Sequence, residues 1–190
     1  SATTDASGNY NFPDQGAGSY WVVVDSKTIT PSAGFRGGFD IEDVWAEQTY
    51  GDNSYSTAMD VGARFGGRSG DASDSAGSLE GGEHLARVIL GTTNVSGVDF
   101  GFSFNVVTNV RGGADVDDDT SAARTVQGSL RQFLQNANAI NGPNGMRFVP
   151  SVAANAGAWW QLLVIEDLPD VLDSNTTIDG TAYSFNDGTS

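Results

Sequence analysis

The chain has no cysteine, a single lysine (Lys27) and a single histidine (His84). Without thiols, disulfides, zinc–thiolate sites and cysteine nucleophiles are excluded. Basic residues number 9 against 24 acidic ones, for a formal net charge of −15. Nucleic-acid binding needs Lys and Arg to replace phosphate counterions, and no basic run here does so. An anionic membrane surface repels the chain for the same reason. No apolar run approaches the roughly 20 residues of a membrane-spanning helix, so membrane insertion is not expected. The sequence contains no signal-peptide pattern and opens on Ser1 rather than Met, as expected of a mature, trimmed or cloned chain.

Glycine is abundant, at 25 residues, and 38% of the chain is hydrophobic. That composition allows a lean core with much backbone in turns. Charged residues are only 17%, unlike a charge-rich disordered chain. The acidity suits a solvated surface or cation binding.

Periodicity points to a mainly β chain. Tyr10 and Phe12 alternate with Asn9 and Asn11 after the turn Asp5–Gly8. Ser19–Val24 is aromatic and β-branched and reads as a strand, and Lys27–Thr30 as another short one. Residues 41–48 fit a helical turn or a strand equally well. Residues 65–83 are rich in Gly, Ser and Asp and read as a long surface loop. Leu85–Leu90 reads as a strand. Phe100, Phe102 and Phe104 then recur at period two across 98–105, which places three rings on one buried face.

One helix is expected, over 129–141. Ser129 and Gln132 form an S-x-x-Q capping box, and Leu130, Phe133, Leu134, Ala137 and Ile140 fall on one face. Gly142-Pro143 stops it. Short strands are expected at 146–149, 161–165 and 176–178, with Leu168 and Val171 facing inward. A domain boundary is expected in the polar connector, giving units 1–108 and 128–190 joined by an acidic linker, 109–127.

Two stretches resemble known families. Residues 4–24, TDASGNYNFPDQGAGSYWVVV, and the segment GVDFGFSF at 97–104 resemble B-type repeats of serine-aspartate-repeat adhesins and collagen-adhesin B domains. The resemblance implies a prealbumin-like β-sandwich acting as a bacterial surface stalk, with a long insertion at about 32–84. GSLRQFLQNANAI, MRFVP and LPDVLDSNTTIDG, within 128–180, resemble the opening of a right-handed parallel β-helix in large secreted bacterial proteins. That implies an amphipathic capping helix followed by the first strands of a solenoid. A helix there covers apolar core and unpaired strand edges.

Relative to both families the chain reads as truncated. A sandwich lacking a strand exposes a groove that another copy can fill by strand addition. A head-to-tail contact that does not close generates a filament. The function expected is therefore a structural subunit or stalk of an extracellular or cell-surface appendage, a homopolymer without enzymatic activity. The alternative is a non-catalytic fragment of a carbohydrate-active β-helix enzyme, or a glycan-binding adhesin. Trp159-Trp160 and Tyr20-Trp21 are the candidate platforms for surface glycans, against ordinary packing.

No catalytic set emerges. Glu166, Asp167, Asp170, Asp173 and Asp179 flank turns, with Arg147 the only basic residue expected near them. His84 lies at a strand start with no nucleophile motif. Hard oxygen donors cluster at Asp115, Asp117, Asp118 and Asp119, which reads as a plain solvated acidic linker or as a calcium site. That run lacks EF-hand spacing. B-type repeats bind calcium, which the resemblance extends to this linker. Asp5 and Asn9 form a smaller oxygen cluster. The resemblance also raises a Lys–Asn isopeptide bond, for which Lys27 is the sole donor, though not in the first strand where the family carries it. Asn94 and Asn175 open N-x-S/T sequons.

Overall fold

The computed structural model describes residues 1–52, 61–68, 70, 82–111 and 127–186. Within them the chain is mainly β, with one α-helix. The elements are β1 (Gly18–Val23), β2 (Glu47–Asp52), β3 (Val61–Ala63), β4 (Leu85–Leu90), β5 (Gly101–Ser103), β6 (Val106–Val107), α1 (Leu130–Ala139), β7 (Asn144–Gly145), β8 (Arg147–Phe148) and β9 (Thr176–Thr177).

The first half is antiparallel. β1 pairs with β4 in full register, Gly18 opposite Leu90 and Val23 opposite Leu85. β2 runs between β3 and β5. A bulge between Gln48 and Tyr50 interrupts the β2–β5 ladder. A bulge leaves one residue unpaired and bends its strand. This is one reason the strand expected over 98–105 contracts to Gly101–Ser103. Asn105 N then donates to Ser103 Oγ at 3.1 Å and turns the chain. The three Phe rings are half-buried and serve different neighbours. Phe102 meets His84 edge-on, with centroids 5.1 Å apart. Phe104 joins a cluster with Val44, Ala139 and Ile140.

Two further expectations give way to turn chemistry or to missing neighbours. Lys27–Thr30 is not a strand: Ser26–Thr28 form a 3-10 turn, because the Asp25 side chain accepts from Lys27 N at 3.2 Å. Local side-chain bonds of this kind outcompete a ladder. Residues 9–12 carry no strand either. Tyr10 is held by its hydroxyl, which donates to Val98 O, while Phe12 stays exposed.

The second half changes from antiparallel to parallel pairing. β6 pairs with β8, and Phe148 bridges onward to Ala182 in the same sense. β7 pairs with β9. Leu163 N donates to Val110 O at 3.0 Å. Segments from 106–110, 144–148, 163 and 176–182 are thus tied together, largely through parallel contacts. Strands at 146–149 and 176–178 shrink to Arg147–Phe148 and Thr176–Thr177, and 161–165 forms none.

α1 forms as the spacing predicts. Ser129 Oγ accepts from Gln132 N at 3.1 Å. The return arm of the box is shifted by one residue: Gln132 Oε1 accepts from Gly128 N rather than from the cap. Phe133, Leu134 and Ala137 pack with Val107, Met146 and Phe148 to make the largest core cluster. The helix ends before Gly142, at Ile140, which is extended and bridges Phe35. Arg36 N donates to Ala139 O at 2.8 Å, and Arg36 Nε to Ile140 O at 3.0 Å. Carbonyls at the helix end thereby gain donors and a nearby cation.

Apolar residues from both sides of 109–127 share these clusters. Val44, Phe35 and Phe39 pack on Ala139 and Ile140, and Phe65 and Val106 on Val149. Thr108 N and Asn109 N both donate to Gly128 O at 3.0 Å.

Candidate functional site

A polar centre lies inside the first half. β2 begins with Glu47 and Gln48, both buried although a half-buried strand normally hides apolar side chains. Glu83 and His84 immediately precede β4 and are also buried. The β2–β4 neighbourhood brings these residues together: ligand atoms of Glu47, Glu83 and His84 lie within 4.8 Å of one another.

The imidazole is oriented on both sides. His84 Nδ1 lies 3.3 Å from Gln48 Oε1, and Nε2 lies 2.9 Å from Gln127 Nε2. An amide oxygen accepts and an amide nitrogen donates. This arrangement therefore puts the proton on Nδ1 and leaves Nε2 as acceptor. Gln127 Nε2 donates its other hydrogen to Ala46 O at 3.1 Å. Glu47 Oε1 accepts from Gln48 N at 2.9 Å. The Thr108 hydroxyl lies 2.9 Å from Gly70 O and 3.3 Å from Glu47 Oε2, so one proton serves two acceptors.

Glycine makes the close approach possible. Gly128 adopts φ +70°, and a Cβ there would run into Thr108 Oγ1 and Glu47 Oε2. A Cβ on Gly67, at φ +58°, would stand 2.9 Å from both Glu83 Cγ and His84 Nδ1.

No protein-family model matches this chain, and no solved structure matches it.

Sequence reasoning missed this centre. His84 is fully buried. Being the sole imidazole, directly after a glutamate, was the one signal; Glu47 is too distant in sequence to suggest a partner. The four aspartates proposed for calcium, Asp115, Asp117, Asp118 and Asp119, lie outside the described residues. At the first turn, Asp5 Oδ1 accepts from Ser7 N at 2.8 Å and Asn9 N at 2.9 Å, bonds that hold its carboxyl below the usual range, Asn9 foremost.

The acidic residues of the last segment have different basic partners from the one expected. Asp173 pairs with Arg36 at 2.7 Å. Arg131 donates to the carbonyls of Glu166 at 3.1 Å and Asp167 at 2.7 Å. Arg147 instead sits over the rings of Tyr183 and Phe65. Asp173 is buried, and the Arg36 guanidinium together with Asn175 N lowers its pKa to about 2.

A second feature lies on the surface. Leu163, Val164, Ile165, Val171, Leu172 and Ile178 are between 48% and 66% exposed. Val171 therefore faces out, not in; only Leu168 packs against the core. β9 pairs on one side with β7, and among the described residues no strand lies on its other side. Of the aromatic pairs, Trp160 packs edge-on against Phe148 and donates to Val152 O at 2.7 Å. Trp159 is 77% exposed. Tyr20 and Trp21 are half-buried in β1.

Proposed function

We propose that this chain is a structural, non-catalytic unit of an extracellular surface protein. A prealbumin-like sandwich leads into the helix-capped start of a parallel β-helix, and copies associate head to tail through exposed strand edges. The observations that carry this reading are the exposed apolar side chains of Leu163–Ile165, Val171, Leu172 and Ile178, and β9, which among the described residues is paired on one side only. An unpaired strand edge is open to pairing with another chain, and exposed apolar side chains favour a partner when they lie together. Such an edge can accept a strand from another chain, with the alternate side chains setting specificity. A contact between different surfaces of identical copies propagates unless rotation closes it. The formal charge of −15 keeps copies apart in solution until a complementary edge aligns them.

Sedimentation velocity across a concentration series, with electron microscopy of the concentrated sample, tests the reading. The natural sequence assembles, and Ile165→Lys, which places a charge on the exposed surface, stays monomeric with an unchanged circular dichroism spectrum. A natural sequence that remains monomeric at high concentration defeats the proposal.

Glycan binding is the second reading, favoured by the 77% exposure of Trp159. An aromatic face so presented can stack on a sugar ring. Loss of glycan-array signal in Trp159→Ala supports it, and a blank array for the natural sequence removes it.

A further inference from the structure

We infer that Glu47, Glu83 and His84 bind one divalent transition-metal ion of the zinc class inside the fold. The inference is independent of self-association, because the three residues lie far in sequence from the apolar surface and are buried.

The geometry is the first argument. With all three ligand atoms within 4.8 Å of one another, an ion at their centre stands no more than about 2.8 Å from each. Inward shifts of less than about 1 Å reach the roughly 2.0–2.2 Å bonds that zinc makes to imidazole and carboxylate. The donors arrive on two strand segments, Glu47 opening β2 and Glu83-His84 leading into β4. An ion there fastens one segment to the other.

The donor set selects the ion. Calcium and magnesium take oxygen ligands, whereas imidazole favours zinc and its neighbours, which accept carboxylates as well. Two carboxylates and one neutral imidazole balance a divalent charge. Three protein donors leave one position of a tetrahedral zinc ion to be filled by another ligand.

Gln127 supplies an independent observation. It is 1% exposed, and its Oε1 is a buried acceptor with no hydrogen-bond donor among the described residues. The same amide touches His84, through Nε2. If Nδ1 ligates, the proton moves to Nε2, and the Gln127 amide turns over to accept it, giving up its bond to Ala46 O. If Nε2 ligates, Nδ1–H keeps its bond to Gln48 Oε1, and Gln127 Nε2 releases the ring while keeping Ala46 O. Ligating histidines are generally held by such a bond from the other nitrogen. Gly67 and Gly128 leave the backbone close to the donors where any side chain would intrude.

The test follows from His84 being the only histidine in the chain. Its ring protons give a single pair of proton NMR signals. Zinc alone is added to chelator-treated protein. Both ring signals should move with one equivalent of zinc, calorimetry should report one site, and Tm should rise. Glu83→Gln, which removes one carboxylate at constant volume, should weaken binding by about tenfold or more. Ring signals that stay fixed at saturating zinc overturn the inference, even if heat is released, because zinc then binds the acidic surface. Calcium should leave the ring unmoved; an equal shift with calcium overturns the transition-metal assignment. If Glu83→Gln does not fold, the ring signals of the natural sequence decide the matter alone.

Discussion

Asn136 presents both halves of its amide to the backbone of Trp45: Oδ1 accepts from Trp45 N at 3.1 Å and Nδ2 donates to Trp45 O at 3.0 Å. The pair of bonds imitates a neighbouring strand. Nδ2 also donates to Phe104 O at 2.9 Å, and Gln132, one turn earlier on α1, donates to Trp45 O at 2.8 Å. The polar side of the helix therefore docks on extended backbone at the approach to β2, while its apolar side packs on Val107 and Phe148.

Asn136→Ala should lower stability by about 1–3 kcal/mol, the usual cost of stranding buried hydrogen-bonding groups. Asn136→Asp keeps the acceptor but loses the donor to two carbonyls and adds a buried charge, so it should be no better. Urea unfolding monitored by tryptophan fluorescence reads the difference as a fall in midpoint at constant slope. An unchanged midpoint in both variants means that this docking contributes nothing.

The Arg36–Asp173 pair gives stability a defined acid limb. The pKa of Asp173 is lowered to about 2, first by Arg36 and then by Asn175 N, against an ordinary 3.8. A depressed carboxyl stabilises the fold above its unfolded value. That contribution is lost as pH falls from about 4 towards 2. Thermal melts from pH 5 to pH 2 should show a shallower decline for Asp173→Asn than for the natural sequence. Asp5 and Asp179, both also lowered by local backbone bonds, keep titrating in either protein. Parallel pH curves for the two proteins would mean that the pair is not formed.

Gly128 and Gly180 should differ in their response to the same substitution. Gly128→Ala forces a side chain into φ +70° and against Thr108 and Glu47. The strain alone is about 1–3 kcal/mol. Gly180 has open space and no positive φ, so Gly180→Ala should fall within about 0.5 kcal/mol of neutral. Equal midpoints for the two variants would refute the packing described around Thr108.

Legibility in the sequence followed the distance over which each element is specified. α1 was readable because Ser129, Gln132 and the apolar spacing all lie within one short segment. The Phe100–Phe104 alternation was equally visible, yet its strand spans only Gly101–Ser103, because the β2 partner is bulged at Thr49. β2 was undecided because its opening residues, Glu47 and Gln48, are polar and still buried. Their burial is compensated by Thr108, His84 and the backbone, which local periodicity does not register. The run 161–165 has strand composition, but among the described residues its only backbone tie to a distant segment is the bond from Leu163 N to Val110 O, and apart from Leu162, which packs on the core, its side chains face out.

By itself, then, the amino-acid sequence determined the absence of thiol chemistry, the acidic charge, the mainly β character and the helix. Each is a matter of composition or of contacts within one or two turns of chain. Only the tertiary structure decided that Glu47 meets Glu83 and His84, that Asp173 belongs to Arg36, and that Gln127 reaches the imidazole. Those pairings join segments separated by tens to more than a hundred residues. They depend on strand register and on where the helix docks, quantities that no local pattern of side chains encodes.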